Sequence, residues 1–265
     1  MNLTALSLSA IVFYLATAFC RPFLLTRAVI TPKPLLFLLG FLAIGLHALI
    51  LYQQMVIPSG LNLGFFNAAS LIAWVIALLL LFTLLQQPVE NLIMVLFPVA
   101  ALALGLSSYF PSQRIIVQDW GVTLHIITSI LAYSLFSISA LQALFLAFQE
   151  YKLHHQRPGW LIYRLPPLQV METLLFQIIY FGFFVLTVSL VTGIIFLEDI
   201  WAQHLVHKTV LSLLAWLIFA ILLWGHWRYG WRGQKAIRWT LGGFLALMLA
   251  YFGSKMVLEL ILNRY

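Results

Sequence analysis

Eight long apolar stretches divide the sequence, and they restrict the possible folds of this chain more than any other feature. Each is long enough to cross a hydrocarbon core of about 30 Å, which takes roughly 20 helical residues. They cover residues 3 to 20, 35 to 56, 66 to 86, 91 to 108, 120 to 148, 170 to 197, 208 to 227 and 239 to 261. A bilayer offers no partner to an unpaired backbone group, so each stretch is expected to be a helix. The pattern predicts an all-α, polytopic transmembrane helix bundle of about eight spans.

The composition agrees with a membrane protein. Of 265 residues, 63% are hydrophobic and only 8% are charged, whereas about a quarter of the residues of an average soluble domain are charged. The net charge of +7 comes from basic residues that stand singly in short loops, which argues against a nucleic-acid partner. The breaks between spans are too short for a soluble domain. Residues 1–265 are therefore predicted to form a single transmembrane domain.

The distribution of the 14 Lys and Arg residues predicts how the chain is oriented. Ten of them fall in alternate loops on one side, and membrane proteins keep their basic loops on the cytoplasmic side. The other side holds Arg114, Lys208, Lys255 and Arg264. Both termini are therefore predicted to face outward, into the periplasm if the membrane is a bacterial inner membrane.

Four of the seven histidines lie on the predicted outer side: His47 and His125 fall in the outer parts of their spans, and His204 and His207 fall at the outer junction of the sixth and seventh spans. Neutral imidazole binds iron, and two histidines from different helices can supply both axial ligands of a haem. Three cations at the same predicted level could pair with haem propionates, namely Arg114, Lys208 and Lys255. The leading hypothesis is a haem site whose iron is held by His125 and His207.

Two other kinds of site remain open from the residues alone. His204 and His207 are three positions apart and share a helix face, so with Glu198 or Asp199 they could form an outer site for a divalent cation. A small-solute transporter is the third hypothesis, and Pro98 inside a span gives it slight support.

Motifs of hydrolases, phosphate-binding loops and zinc proteases are not found in the sequence. We therefore expect the chain not to be an enzyme. His154, His155 and His226 fall among basic residues on the predicted cytoplasmic side, where a solvated loop or lipid headgroups would explain them.

Several segments resemble one known family. Residues 120–133, which include His125, resemble the outer histidine helix of the CcsA/CcmC-type cytochrome c assembly family. Residues 181–193 are similar to the helix that follows it, and residues 208–216 with 230–233 are similar to the next span. The similarity covers roughly residues 40–255 and is closest to the eight-span branch of YpjD- and HemX-like inner-membrane proteins.

The resemblance implies that the chain handles haem, with His125 as the external ligand and His47 matched to a histidine of an early span. The tryptophan-rich outer segment of the family is missing, since residues 194–208 contain only Trp201. Two further family histidines would fall near Trp224 and Lys255. We therefore expect a haem b-binding accessory or regulator of cytochrome c assembly or haem homeostasis, and not a cytochrome c synthase. Its expected partners are the bilayer and proteins of cytochrome biogenesis or haem synthesis.

Overall fold

The structure is a computed structural model that describes residues 3–24, 33–57, 60–110, 115–116, 120–155, 165–196 and 203–253. In that part of the chain, eight helices are long and apolar enough to cross a membrane. The predicted helical membrane fold is therefore confirmed. The helices are α1 (Leu3–Leu24), α2 (Lys33–Met55), α3 (Phe65–Thr83), α4 (Glu90–Tyr109), α5 (Trp120–His154), α6 (Leu168–Phe196), α7 (Gln203–Tyr229) and α8 (Gln234–Met248).

Most helix ends lie within a few residues of the predicted bounds. The α5 helix ends six residues later than predicted, and α7 and α8 each begin five residues earlier. From Gln234, α8 continues through Met248 into a π-helical turn over Leu249–Gly253, and its predicted end at residue 261 lies outside the described residues. Its first turns carry Lys235 and Arg238, which are exposed and too polar for an apolar stretch. Hydropathy therefore identified only the apolar part of this helix.

The chain forms two compact units, Met1–Gln118 and Asp119–Tyr265. In the first unit, α1 packs on α2 and α4, and α3 packs on α2 and α4, so the four helices close into a ring. The hydroxyl of Ser7 at the start of α1 lies 3.1 Å from that of Ser108 at the end of α4. Because the start of α1 lies beside the end of α4, these two helices run in opposite directions, as helices in alternating spans should.

A small antiparallel sheet belongs to the first unit and was not predicted. Its strands are β1 (Val56–Ile57), β2 (Gly60–Asn62) and β3 (Ile115–Ile116), in the order β1-β2-β3. Strands of two or three residues are too short to show the alternating pattern by which a strand is recognised in a sequence.

The second unit repeats the ring order with α5 to α8. Antiparallel packing of α5 on α6 is fixed by two amide side chains of α5, because Gln142 donates to the carbonyl of Met171 at 3.1 Å and Gln149 to that of Pro166 at 3.2 Å. Near the middle of α6, a Cβ on Gly182 would lie only 3.2 Å from the Phe136 ring. The small residue lets the two helix backbones approach closely.

Aromatic rings fill the centre of the second unit. Phe136 of α5 stacks on Phe219 of α7, with ring centroids 3.9 Å apart, and neither side chain is exposed. On α8, a Cβ at Gly243 would lie 2.7 Å from the Phe219 ring. Three helices therefore meet at one stacked pair of rings.

Candidate functional site

His125 lies five residues into α5 and faces α6. Its Nδ1–H donates a hydrogen bond of 2.8 Å to the backbone carbonyl of Ser189. In a neutral imidazole, one ring nitrogen carries the proton and the other keeps its lone pair, so this bond assigns the lone pair to Nε2. A backbone carbonyl that holds the second nitrogen in this way is the usual arrangement around a metal-binding histidine.

Two serines and a glycine shape the space around this imidazole. The hydroxyls of Ser129 and Ser189 are 2.7 Å apart, and the Ser129 hydroxyl donates to the carbonyl of His125 at 2.7 Å. Its distance to His125 Nε2 is 3.5 Å, longer than a good hydrogen bond. A Cβ on Gly193 would lie 2.9 Å from Cε1 of His125. The glycine therefore lets the ring lie against the backbone of α6.

Two glycines of α6 mark the face of this helix that packs on α5. Gly182 and Gly193 are eleven residues apart, which is about three helical turns. Both face α5, since Gly182 meets Phe136 and Gly193 meets His125.

His47 of α2 is arranged differently, within the first unit. Its side chain is 0% exposed, and both ring nitrogens make hydrogen bonds. Nδ1 is 3.0 Å from the hydroxyl of Tyr14 on α1, and Nε2 is 2.9 Å from that of Ser70 on α3. A neutral imidazole can donate one of these bonds and accept the other. In this arrangement His47 joins three helices and has no nitrogen left for a metal.

The other predicted ligands are described only in part. His204 and His207 belong to α7, but their side chains lie outside the described residues, and Lys208 lies in the first turns of the same helix. Among the described residues, no group of three His, Cys, Asp or Glu side chains could hold a metal ion. The remaining predicted site residues fall outside the described part of the chain, namely Arg114, Glu198, Asp199 and Lys255.

One histidine has a ring partner that the sequence did not predict. The sequence attributed His226 to a solvated loop or to lipid headgroups, and the structure places it in the last turn of α7, where its ring stacks on Phe176 of α6 with centroids 3.5 Å apart. Its Nδ1–H donates to the carbonyl of Trp231 at 2.8 Å. Hydropathy ended this span at residue 227 and could not indicate that Phe176, 50 residues away in sequence, is the ring partner of His226.

His154 and His155 are exposed at the end of α5, as predicted.

Two of the segments that carry the family resemblance meet in space. Trp216 of α7 donates through Nε1–H to the hydroxyl of Thr187 on α6 at 2.9 Å, and its ring stacks on Phe183. These residues therefore join α7 to α6, the helix that also accepts the hydrogen bond from His125.

Comparison with known proteins agrees with this resemblance. Residues 35–262 match the cytochrome c assembly protein family. Inner membrane protein YpjD of Escherichia coli strain K12 is 32% identical over 225 residues, which cover 83% of this chain and 85% of YpjD. A 28.8 kDa protein of Azospirillum brasilense is 34% identical over 144 residues, covering 54% of this chain and 53% of that protein.

More distant relatives match a shorter region. Cytochrome c biogenesis protein CcsA of Cyanophora paradoxa is 30% identical over 89 residues, which cover 33% of this chain and 28% of CcsA. No solved structure matches the chain. The family match spans most of the sequence, including seven of the eight helices in full or in large part. The chain therefore belongs to the cytochrome c assembly protein family and is, like YpjD, a multi-pass protein of the bacterial inner membrane.

Proposed function

We propose that this protein binds haem b through His125 and acts as an accessory or regulatory protein in cytochrome c assembly or haem homeostasis. The observation that carries the proposal is the hydrogen bond from His125 Nδ1–H to the Ser189 carbonyl, which leaves the lone pair on Nε2. A fixed, neutral imidazole at the side of a transmembrane helix is the ligand that haem iron requires.

The residues described around His125 fit a haem ligand. Gly193 leaves room for the ring, and the paired hydroxyls of Ser129 and Ser189 are bonded to each other. His207 would be the second ligand of the iron, with His204 as a further candidate, and Lys208 would lie near the propionates, whereas both ring nitrogens of His47 are already hydrogen-bonded. Bound haem would supply an iron that exchanges single electrons and axial ligands. The chain itself would supply one oriented imidazole.

Several features support a role other than catalysis. Relatives named for cytochrome c biogenesis cover only a third of this chain, while the similarity to YpjD extends over most of it. The tryptophan-rich outer segment that the family resemblance would require of a synthase is absent from residues 194–208. We therefore propose haem binding or transfer to a partner protein, with no bond-forming step on the chain.

A haem titration of the purified, detergent-solubilised protein tests the proposal. We expect a saturable Soret band at about one haem per chain, since one imidazole pair holds one iron. Zinc should be added to a second sample of the same preparation and the bound metal measured. An absorbance change no larger than that of haem in empty detergent micelles would overturn the proposal, and stoichiometric zinc in its place would favour the cation site.

We expect Gly193→Ala to weaken haem binding by roughly tenfold, a loss typical of disturbing the surroundings of a metal ligand. The added methyl group would lie 2.9 Å from Cε1 of His125 and would push the imidazole away from the Ser189 carbonyl. The measurement is the haem dissociation constant from the same titration. Gly242→Ala is the matched control, because a Cβ there meets nothing within 4 Å. Equal affinities for the two variants would mean that Gly193 does not position the ligand.

A further inference from the structure

A cavity lined by both polar and apolar groups lies at the other end of the second unit, away from His125. Its volume is about 530 Å³, within the range of small-molecule sites. The residues that line it come from α6, from the end of α7 and from the turn before α8; they are Gln169, Glu172, Thr173, Phe176, Gln177, Tyr180, His226 and Arg232. Haem binding at His125 makes no use of these side chains.

One face of α6 supplies a polar stripe along this cavity. Gln169, Thr173 and Gln177 follow each other at intervals of four residues, and Tyr180 comes three residues later. These spacings place all four on one side of the helix, and all four are exposed. Polar side chains on an exposed face of a membrane-spanning helix are costly, so they mark a binding face.

The turn between α7 and α8 is held rigidly at the mouth of the cavity. Gly230 and Gly233 both have positive φ angles, of 65° and 55°, which only glycine adopts without strain. The Trp231 ring packs directly on Gly225, and the Trp231 carbonyl accepts the hydrogen bond from His226. These contacts fix the backbone of the turn that carries Arg232.

A carboxylate anchors the same turn from α6. The N–H of Gly233 donates to Oε1 of Glu172 at 2.5 Å, which leaves Oε2 as a second acceptor on the carboxylate. A second carboxylate, that of Glu150 on α5, accepts a hydrogen bond from Gln234 at 2.6 Å. The turn is therefore fixed on two sides, and the cavity has a carboxylate and a guanidinium in its wall.

The charges of the lining balance each other. Arg232 contributes one positive charge and Glu172 one negative charge, while the Nδ1–H of His226 is donated to Trp231, which leaves Nε2 as the remaining ring nitrogen. A ligand with a single negative charge would satisfy Arg232 but would face Glu172 unfavourably. A zwitterion with a phosphate and an ammonium matches both groups, since guanidinium binds phosphate and an ammonium has three N–H donors for acceptors such as Glu172 and His226.

The surroundings indicate an amphiphile. Beyond Tyr180, α6 continues with the large apolar side chains of Phe181 and Phe184, which are 52% and 63% exposed. The acyl chains of a lipid whose headgroup occupied the cavity would run along this apolar surface. The cavity is thus suited to a lipid whose headgroup is polar and whose tails run along α6.

We propose that this cavity binds the headgroup of phosphatidylethanolamine, with the phosphate on Arg232 and the ammonium on Glu172 and His226. The trimethylated headgroup of phosphatidylcholine has no N–H to donate, and that of phosphatidylglycerol has no ammonium. The site would therefore select phosphatidylethanolamine from a mixed bilayer.

Native mass spectrometry of the full chain tests the proposal. The protein in detergent is mixed with equal amounts of phosphatidylethanolamine, phosphatidylcholine and phosphatidylglycerol that carry identical acyl chains, and the lipid adducts are measured after the detergent is removed. We expect phosphatidylethanolamine adducts to exceed each of the others at least roughly tenfold, which is the effect of one charged hydrogen bond. Free phosphoethanolamine in a separate sample distinguishes a lipid from a soluble ligand. Equal adducts for all three lipids, an excess of phosphatidylglycerol, or displacement of the lipid by equimolar phosphoethanolamine would each overturn it.

Two variants and one control assign the binding to this cavity. Arg232→Gln should lose the excess of phosphatidylethanolamine. Glu172→Gln should bind phosphatidylethanolamine and phosphatidylcholine alike, while its amide oxygen still accepts the Gly233 N–H and preserves the turn. Arg238→Gln removes an equally exposed arginine that does not line the cavity and should behave like the original protein. If Arg232→Gln and Arg238→Gln gave the same adducts, the lipid would bind elsewhere.

Discussion

Replacement of His125 by glycine is expected to lower the affinity for haem at least roughly a hundredfold, and added imidazole is expected to restore the Soret band. Loss of a partner that only orients a metal ligand already weakens binding about 10- to 100-fold, so loss of the ligand itself should cost more. The glycine leaves a space of the shape of the ring between Gly193 and the Ser189 carbonyl, and free imidazole can occupy it.

The rescue separates a missing ligand from a damaged fold. Glycine within a helix is destabilising by about 1 kcal/mol relative to alanine, so His154→Gly at the exposed end of α5 is a suitable control. It should bind haem as the original chain does. If His125→Gly bound haem normally, or if imidazole had no effect on a well-folded variant, His125 would not be the ligand.

Gly243→Val should reduce the free energy of unfolding by roughly 1–3 kcal/mol, the usual cost of overfilling a packed interior. A Cβ at Gly243 would lie 2.7 Å from Phe219. The Phe219 ring is 0% exposed and stacks on Phe136, so it has no space into which it can move. The loss is measured as a lower midpoint of thermal unfolding for the protein in detergent.

The preceding glycine provides the matched control. A Cβ at Gly242 meets nothing within 4 Å, and the residue lies in the same helix. Gly242→Val should therefore change the free energy of unfolding by no more than about 0.5 kcal/mol, as surface substitutions do. Equal losses for the two variants would show that valine disturbs α8 itself and not its contact with Phe219.

The spans could be predicted from the sequence because a bilayer imposes a simple rule. Every backbone polar group must bond within its own helix, so length and hydropathy alone mark the eight helices. The contact face of α6 could be predicted as well, since Gly182 and Gly193 lie three turns apart and small residues mark close helix packing.

Partners of individual polar side chains could not be predicted in the same way. Tyr14 and Ser70 are 33 and 23 residues from His47, and the sequence offers many other hydroxyl groups. Which of them meets the imidazole depends on how each helix is rotated about its axis, and hydropathy contains little information on rotation when a helix is apolar on all sides. The stacking of His226 on Phe176 was missed for the same reason.

The buried imidazole of His47 has a thermodynamic consequence. His47 lies on α2 and is hydrogen-bonded to Tyr14 of α1 and to Ser70 of α3. Among the contacts described for the first unit, no other side chain of α2 is hydrogen-bonded to both α1 and α3. A metal ion on either nitrogen would have to replace one of these two bonds. Metal affinity and the association of the three helices would then be linked by one coupling free energy. By reciprocity, the factor by which bound metal weakens the contact with α1 or α3 equals the factor by which loss of that contact raises the affinity of His47 for the metal.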